Sequence, residues 1–484
     1  MESIKTKSVY LGKPIFFIPT LGIGFSIFLH FTLPMPCRLT QRNKIKIVMK
    51  QKLFTALLAF CACTGSIMAE DWTLNQCLEY AKENSISVLQ AIHNYETAQQ
   101  NVIAAKGAFA PTISASTSQN FGYSGMLTNN GQASYGANYG INLGMTLFNG
   151  GKLSYNKKQS DILVEVRNAG ILSTQKEIEI SVLRAYLQVL YAHENVKIAE
   201  SMLALSQQEL DRSQILFEAG KITKADLAQV KAQYSQNSYS LTSGKNNLRS
   251  VIMELKQLLE LDITTSFNVA IPEISDQEVL QSLPEMLDIY NQAMLTMPQI
   301  KEAELNIKAS EYNLKNAKAG YWPTISLSAG MSGNYNTNGA ASLGEQFTNS
   351  LAPSAGLSIN IPIYDQSKTQ TSVAKAKIEH QQTELQYQQA EKQIAKYVES
   401  LYIDAQSAQS NYLAAADKLA SIQESYNLLS EQFNVGMKNT VELLSGQNDL
   451  LAAQLQLAQS RYQAVISIQL LNILQDKEIV VGNY

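Results

Sequence analysis

The feature that most constrains the fold of this chain is a phrase that its sequence contains twice. "FAPTISAS" covers residues 109–116 and "YWPTISLS" covers residues 321–328, so the two prolines are 212 positions apart. Further on, "LFNGGK" aligns with "IYDQSK" at an offset of 216, and that offset holds as far as "FEAGK" over "FNVGM". One register kept over about seventy residues predicts an internal duplication. We expect a first repeat over about 70–275 and a second over about 276–484.

Each half contains a stretch of period two, at about 111–148 and about 323–364. Apolar and polar residues alternate there, which predicts a pair of strands with one apolar and one polar face. The polar segments 124–133 and 336–349 are predicted hairpin loops. Pro111 and Pro323 are predicted helix-to-strand junctions, because proline ends a helix and is tolerated where a strand begins. The apolar positions are Ile113, Ala115, Phe121, Tyr123, Tyr135, Ala137, Tyr139, Ile141, Leu143, Met145 and Leu147, then Ile325, Leu327, Ala329, Met331, Leu351, Ala355, Leu357, Ile359, Ile361 and Ile363.

Each half also contains a period of seven, which predicts helix-on-helix packing. No proline interrupts Lys152 to Ala219 or Gln366 to Val435. A helix of about 66 residues is roughly 100 Å long. After each long helix a glycine, Gly220 or Gly436, predicts a reversal into a return helix. The heptad positions are Val182, Val189, Val196, Leu203, Leu210 and Phe217, and Val398, Ala405, Tyr412, Leu419, Tyr426 and Phe433.

The strand pairs indicate a membrane location. A strand of about 12 residues suits a tilted crossing of a hydrocarbon layer of about 30 Å. An open sheet edge is unstable in lipid, and four strands are too few to close around water. We therefore predict an α+β membrane protein in which three chains close a twelve-strand β-barrel, four strands from each, continued by a long α-helical coiled-coil barrel.

The N-terminal region has the layout of an export signal. From Met49, two lysines are followed by an apolar run and then by small residues up to Ala69, which predicts a signal peptide over 49–69. Lipidation of Cys63 is the alternative. Residues 1–48 lie upstream of this complete signal, so we interpret them as a misassigned extension of the gene start.

Composition argues against several functions. The net charge is -3, only 16 % of residues are charged, and no basic stripe suggests nucleic acid. Cys77 is the one cysteine after the signal region, and the four histidines show no ligand spacing. We predict no metal, no cofactor and no enzymatic activity, because no nucleophile elbow, phosphate loop or paired carboxylates are recognised.

The chain resembles the TolC-type outer-membrane factor family over residues 71–475. The resemblance rests on the two "PTIS" strand starts, on "LFNGG" at 147–151, and on the pair "FEAGKITKADL" and "FNVGMKNTVELL". It implies a homotrimeric channel in outer-membrane lipid that extends into the periplasm. It also implies export of drugs or polypeptides together with a periplasmic adaptor and an inner-membrane transporter of the RND or ABC type.

The resemblance also places functional residues at the two glycine breaks, as hairpin tips at the periplasmic entrance. Glu442 takes the position of a constricting acidic residue, Asp226 is its first-half counterpart, and Ser445 stands where some members have a second acid. The lysines either pair with a neighbouring chain or adaptor or are simply solvated. The expected tip and adaptor contacts are Phe217, Gly220, Lys221, Lys224, Phe433, Gly436 and Lys438.

Two other functions fit parts of the pattern. A non-conducting coiled-coil spacer of the cell envelope would have the same helices and would form no pore. A periplasmic adaptor would share the helical hairpins but lack lipid-facing strand pairs, so the four alternating segments argue against it. A lumen lined by Ser, Asn, Gln and Gly would recognise little, so the sequence does not predict which cargo is exported.

Overall fold

The computed structural model describes residues 71–124, 132–337 and 342–482, and these belong to one compact unit. The predicted extension (1–48), the signal peptide (49–69) and Cys63 lie outside the described residues.

The elements follow the same order in the two halves of the chain. Among the described helices, none combines the length and the apolar character needed to cross a lipid bilayer. The first half contains α1 (Leu74–Asn84), α2 (Ile86–Gly107), β1 (Thr112–Ser124), β2 (Gln132–Asn149), α3 (Lys152–Glu218) and α4 (Lys224–Leu258). The second half contains α5 (Asp276–Val279), α6 (Met286–Thr296), α7 (Pro298–Lys318), a 3₁₀ turn (Ala319–Tyr321), β3 (Thr324–Asn336), α8 (Leu343–Asn349), β4 (Ala352–Asn360), α9 (Lys368–Asn434) and α10 (Thr440–Leu474).

The element boundaries carry the duplication that the sequence predicts. α1, α2 and β1 begin 212 residues before α6, α7 and β3. The long helices α3 and α9 have 67 residues each, and the return helices α4 and α10 have 35 each. These helices begin 216 residues apart, so the four extra residues of the second half lie between β3 and α9. The proline-free spans therefore predicted both long helices correctly.

The four strands form one antiparallel sheet in the order β1-β2-β3-β4. Partner residues fall in rows across it, such as Ala115–Ile141–Met331–Pro353 on one face and Ser114–Asn142–Gly330–Ser354 on the other. The predicted apolar and polar faces are thus confirmed. Ile113 is 72 % exposed, and no other described element covers its face of the sheet.

Two details of the strands differ from the sequence prediction. The register shifts between Thr146 and Phe148, so Phe148 rather than Leu147 pairs with Ile325. A β-bulge of this kind changes which face each later side chain occupies. Strand β4 ends at Asn360, so Ile361 and Ile363 are outside the strand. Pro362 explains this end, because proline has no N–H to donate to a sheet.

The segment predicted as the second hairpin loop contains helix α8. Ser342 accepts a hydrogen bond from the backbone N–H of Glu345, and the Glu345 carboxylate accepts from the Ser342 N–H at 3.0 Å. This capping box starts the helix. Beyond Ala352, the first residue of β4, the N–H of Asn334 donates to the Ser350 hydroxyl and that of Asn336 donates to Gln346. Side chains of α8 and of the residue after it therefore satisfy the upper edge of β3.

The main hydrophobic core lies around the middle of the long helices. Leu183, Tyr186 and Leu187 of α3 are fully buried there, together with Val398 of α9 and Ile468 of α10. The second-half heptad is buried at five of its six positions, as far down as Phe433.

The first-half heptad is buried only as far down as Val196. Below it, α3 buries Met202 and Glu209, whereas Leu203 and Leu210 are half-buried. The reason is that the lower part of α3 packs against α10 of the other hairpin, where Met202 joins a cluster with Leu443 and Leu450.

Candidate functional site

The two hairpins reverse direction through the same backbone geometry. We call residues 218–224 the first tip and residues 434–440 the second tip. Gly220 has a φ of +71° and Gly436 a φ of +80°. The N–H of Gly220 donates to the carbonyl of Phe217, and the N–H of the next residue reaches back to Leu216. This arrangement ends a helix and favours glycine. A Cβ on either glycine would meet nothing within 4 Å, so the positive φ rather than lack of space requires glycine.

The second half of each reversal is a capping box that starts the return helix. At the first tip, the Thr223 hydroxyl donates to Asp226 at 2.6 Å, and the Asp226 N–H donates back to that hydroxyl at 3.1 Å. At the second tip, the Asn439 N–H donates to Glu442 at 3.1 Å, and the Glu442 N–H donates to the Asn439 side chain at 2.9 Å. These caps are not among the sequence predictions, although the signals T-x-x-D and N-x-x-E are present.

The two predicted constriction acids are therefore held in the first turns of α4 and α10. Lys438 donates to the Glu442 carboxylate at 2.6 Å. Hydrogen bonds from Lys438 and from the Asn439 backbone lower the pKa of Glu442. Hydrogen bonds from the Thr223 hydroxyl and backbone lower the pKa of Asp226. Both carboxylates thus stay charged at neutral pH, and both side chains remain partly exposed.

The two phenylalanines at the tips are not equivalent. Phe433 is 3 % exposed and packs in the cluster that contains Tyr426 and Leu443. Phe217 is half-buried and lies outside that cluster. The second tip is therefore anchored by an aromatic core residue that the first tip lacks.

The exposed surfaces of the two tips also differ. Lys221 and Lys224 of the first tip are exposed. The second tip and the start of α10 expose large apolar side chains, Val435, Met437 and Val441, with Met437 74 % exposed. The first tip thus presents positive charge and the second presents an apolar surface. The lysines are among the residues predicted from the sequence, and these apolar residues are not.

The junction prolines lie at the other ends of the long helices. Pro111 directly precedes β1 and Pro323 directly precedes β3. A Cβ on Gly150, in the "LFNGG" segment, would lie 2.6 Å from both the Ala319 carbonyl oxygen and the Cβ of Trp322. The missing side chain lets β2 pass close to the second junction. Because α3 and α9 are each about 100 Å long, the structure does not bring junction and tip residues together.

Two polar contacts between the hairpins were not foreseen from the sequence. Gln233 of α4 donates to Asn448 of α10 at 3.2 Å. Tyr426 of α9 donates to the carboxylate of Glu209 on α3 at 3.1 Å. Within the described part of the chain, no three His, Cys, Asp or Glu side chains cluster as a metal site would require.

Comparison with known proteins gives consistent matches. A family model described as outer membrane efflux protein matches residues 77–259 and 289–474. Outer membrane efflux protein BepC of Brucella suis biovar 1 (strain 1330) is 23% identical over 419 residues, 86% of this chain and 88% of BepC. Outer membrane protein TolC of Escherichia coli (strain K12) is 20% identical over 427 residues, 86% of this chain and 85% of TolC. A crystal structure of CusC matches with a TM-score of 0.72 at 21% identity and covers 84% of this chain and 91% of that one.

Proposed function

Because this chain belongs to the outer membrane efflux protein family, we propose that three copies of it close a twelve-strand β-barrel and continue it as a helical tunnel. The chain has the fold of outer-membrane efflux channels and is one of them, located in the outer membrane and reaching into the periplasm. The family is one of transport proteins, which fits the prediction that the chain is not an enzyme.

The uncovered apolar face of the sheet is the observation that carries this proposal. Ile113, Ile141 and Leu357 lie on that face and are each more than half exposed. The edges β1 and β4 have no strand partner within the described residues. In a bilayer, both the apolar face and the open edges become stable only if lipid covers the face and another chain pairs with each edge. Pairing β4 of one copy with β1 of the next closes the sheet in this way.

The tips form the periplasmic entrance of the proposed tunnel. Threefold symmetry would place three copies of Glu442 around the axis, held in position by the Asn439 cap. Carboxylates arranged in a ring attract cations and repel anions. Asp226 would add a second set of charges. The pairing of Glu442 with Lys438 reduces the net charge at this level, so we propose a weak cation site rather than a strong one.

The channel would act with two further proteins, a periplasmic adaptor and an inner-membrane pump of the RND or ABC type. The exposed apolar residues of the second tip and the exposed lysines of the first tip support a docking role for this end of the molecule. Exposed apolar surface at one end of a long polar tube is typical of an interaction site.

Light scattering on the purified protein in detergent tests the assembly. We expect a protein mass of three chains, after subtraction of the bound detergent. Disulfide cross-linking in a Cys77→Ala background tests the edge contact. One cysteine in β1 and one in β4 should give linked chains on oxidation. Two cysteines in β2 are the control and should give no linked chains. A monomer in several detergents, without such links in the native membrane, would refute the trimeric channel.

A further inference from the structure

A buried polar layer joins the two helical hairpins of one chain above their tips. Glu209 of α3 is 6 % exposed. One of its carboxylate oxygens, Oε1, accepts a hydrogen bond from the Tyr426 hydroxyl at 3.1 Å, and the Ser430 hydroxyl lies 3.5 Å from the same oxygen. Glu209 and Tyr426 stand nine and eight residues before the ends of their long helices. The layer is therefore about two helical turns above both tips.

This layer contains polar atoms that the packed arrangement leaves without partners. Glu209 Oε2, Ser213 Oγ and Gln447 Nε2 are buried and have no hydrogen-bond partner among the described residues. Ser213 lies one turn below Glu209 on the same face of α3. Gln447 lies between Leu443 and Leu450, which pack in one cluster with Tyr426, so it occupies the same face of α10. Buried polar groups without partners destabilise the packing that buries them.

Gly446 of α10 makes room for the contact between Tyr426 and Glu209. A Cβ on Gly446 would lie 3.5 Å from Cδ2 of Tyr426 and 2.7 Å from Cδ2 of Leu429. The ring of Tyr426 therefore packs over the bare backbone of α10 while its hydroxyl reaches α3. This arrangement makes Tyr426 a specific link between the hairpins.

Few charged groups act on the Glu209 carboxyl. Among the described residues, Arg212 on the same helix is the one charged side chain that favours the ionised form of Glu209. Among these residues, Tyr426 is also the one ionisable group that α9 presents to this carboxyl. The buried residues of α10 at this level are Leu443, Gln447 and Leu450, and those of α4 are Val230 and Asn237, all neutral. Burial raises the pKa of Glu209 despite the hydrogen bond from Tyr426 and the charge of Arg212. Burial also raises the pKa of Tyr426, so that hydroxyl remains a donor.

We propose that this polar layer, Glu209, Ser213, Tyr426, Ser430 and Gln447, is a proton-dependent lock that holds the two hairpins together. When Glu209 is protonated the hairpins stay packed, and when it is ionised they separate more readily at the tips. Separation brings water to Glu209 Oε2, Ser213 Oγ and Gln447 Nε2. The consequence for transport rests on the proposed function: the periplasmic end of the channel opens more easily as pH rises.

The sign follows from the direction of the shift. A carboxyl whose pKa is higher in the packed arrangement than in the separated one stabilises packing at low pH. That stabilisation is lost as pH rises from the ordinary glutamate range through the raised pKa. Each unit of difference between the two pKa values changes the packing equilibrium by about tenfold across the titration.

Distance measurement by double electron–electron resonance tests the lock directly. Spin labels are placed on the exposed positions Gln208 and Ser425 in a Cys77→Ala background, and labelled chains are diluted with unlabelled ones. We expect the distances within one chain to lengthen or broaden between about pH 4.5 and about pH 8.5, the window around a raised glutamate pKa. Unchanged distances over this window would overturn the proposal.

Two variants and one control identify the responsible carboxyl. Glu209→Gln mimics the protonated form, so we expect short distances at every pH. Tyr426→Phe removes the donor to the ionised form, so the change with pH should become larger. Glu431→Gln alters an exposed carboxyl of α9 and should behave as the unaltered chain does. Equal pH responses of Glu209→Gln and Glu431→Gln would also contradict the lock. Because distances and not currents are read, a channel that does not conduct would refute the proposed function without deciding this test.

Discussion

At the scale of single residues, Glu442 shows how one side chain serves structure and function together. Its carboxylate accepts from the Asn439 N–H and from Lys438, so it completes the cap of α10. The same bonds fix the position of the charge at the narrow end of the proposed tunnel. Capping residues accept few substitutions without loss of helix stability. The cap is therefore a sufficient reason for an acidic residue at position 442. Whether three copies of Glu442 also form a ring of carboxylates at the entrance is a separate prediction.

We expect Glu442→Ala to raise the single-channel conductance or to weaken block by divalent cations. The reason is that removal of three carboxylates from the entrance reduces both the electrostatic attraction for cations and the constriction. Recordings in planar bilayers with and without a divalent cation measure this effect. Asp449→Ala is the control, because Asp449 is an exposed acid two turns further along the same helix. Unchanged currents in Glu442→Ala would exclude Glu442 from the gate.

The tip glycines give a second prediction at this scale. Gly436→Ala places a side chain at a φ of +80°, which destabilises the turn by roughly 1–2 kcal/mol. Gly170→Ala is the control, since Gly170 lies inside α3 with nothing within 4 Å of a Cβ, and alanine there should stabilise the helix by up to about 1 kcal/mol. Thermal unfolding should show a lower transition for Gly436→Ala and an equal or higher one for Gly170→Ala. Equal shifts in both would contradict the backbone argument.

At the scale of elements, the sheet separates a lipid face from a lumen face. Ile141 and Asn142 are neighbours on β2 that point to opposite faces. We expect Ile141→Lys to destabilise insertion by about 2–4 kcal/mol, because a lysine would then face lipid near the middle of the strand. Asn142→Lys would place the same charge in a wet lumen and should change ion selectivity with little effect on stability.

The amount of heat-resistant assembled protein in outer-membrane fractions checks this pair. The expected result is a marked loss for Ile141→Lys and a near-normal level for Asn142→Lys. Equal levels of the two variants would show that the sheet has no lipid face, and the reverse order would show that the faces are interchanged.

The elements also show how far sequence reasoning reaches. Absence of proline, a terminal glycine and a repeat offset predicted both 67-residue helices, since these signals are local or come from comparing the chain with itself. Helix α8 depends on the cap between Ser342 and Glu345, a signal too short to stand out within a polar loop. The face that the lower part of α3 buries was not predictable, because it is decided by contact with α10 and not by the heptad of α3.

The candidate site was predictable to a similar extent. Gly220 and Gly436 follow from local turn chemistry, and the structure gives both a positive φ. The link between Glu209 and Tyr426 joins residues 217 positions apart. No local pattern indicates such a contact, because each residue by itself is a common one on the surface of a helix.

At the scale of the whole molecule, one chain by itself does not form a closed sheet. Within the described residues, its sheet has an uncovered apolar face and two edges without strand partners, while its long helices are mostly polar. A folded chain with these properties requires lipid around the sheet and copies of itself beside it. We propose that such an assembly encloses a continuous path for solutes.

Conductance of the purified mature protein in a planar lipid bilayer tests this claim most directly. We expect discrete current steps from a species of three chains, with a size that Asn142→Lys in the lumen changes. Absence of any steps from protein that has inserted and is trimeric would contradict the channel and favour a non-conducting spacer of the cell envelope.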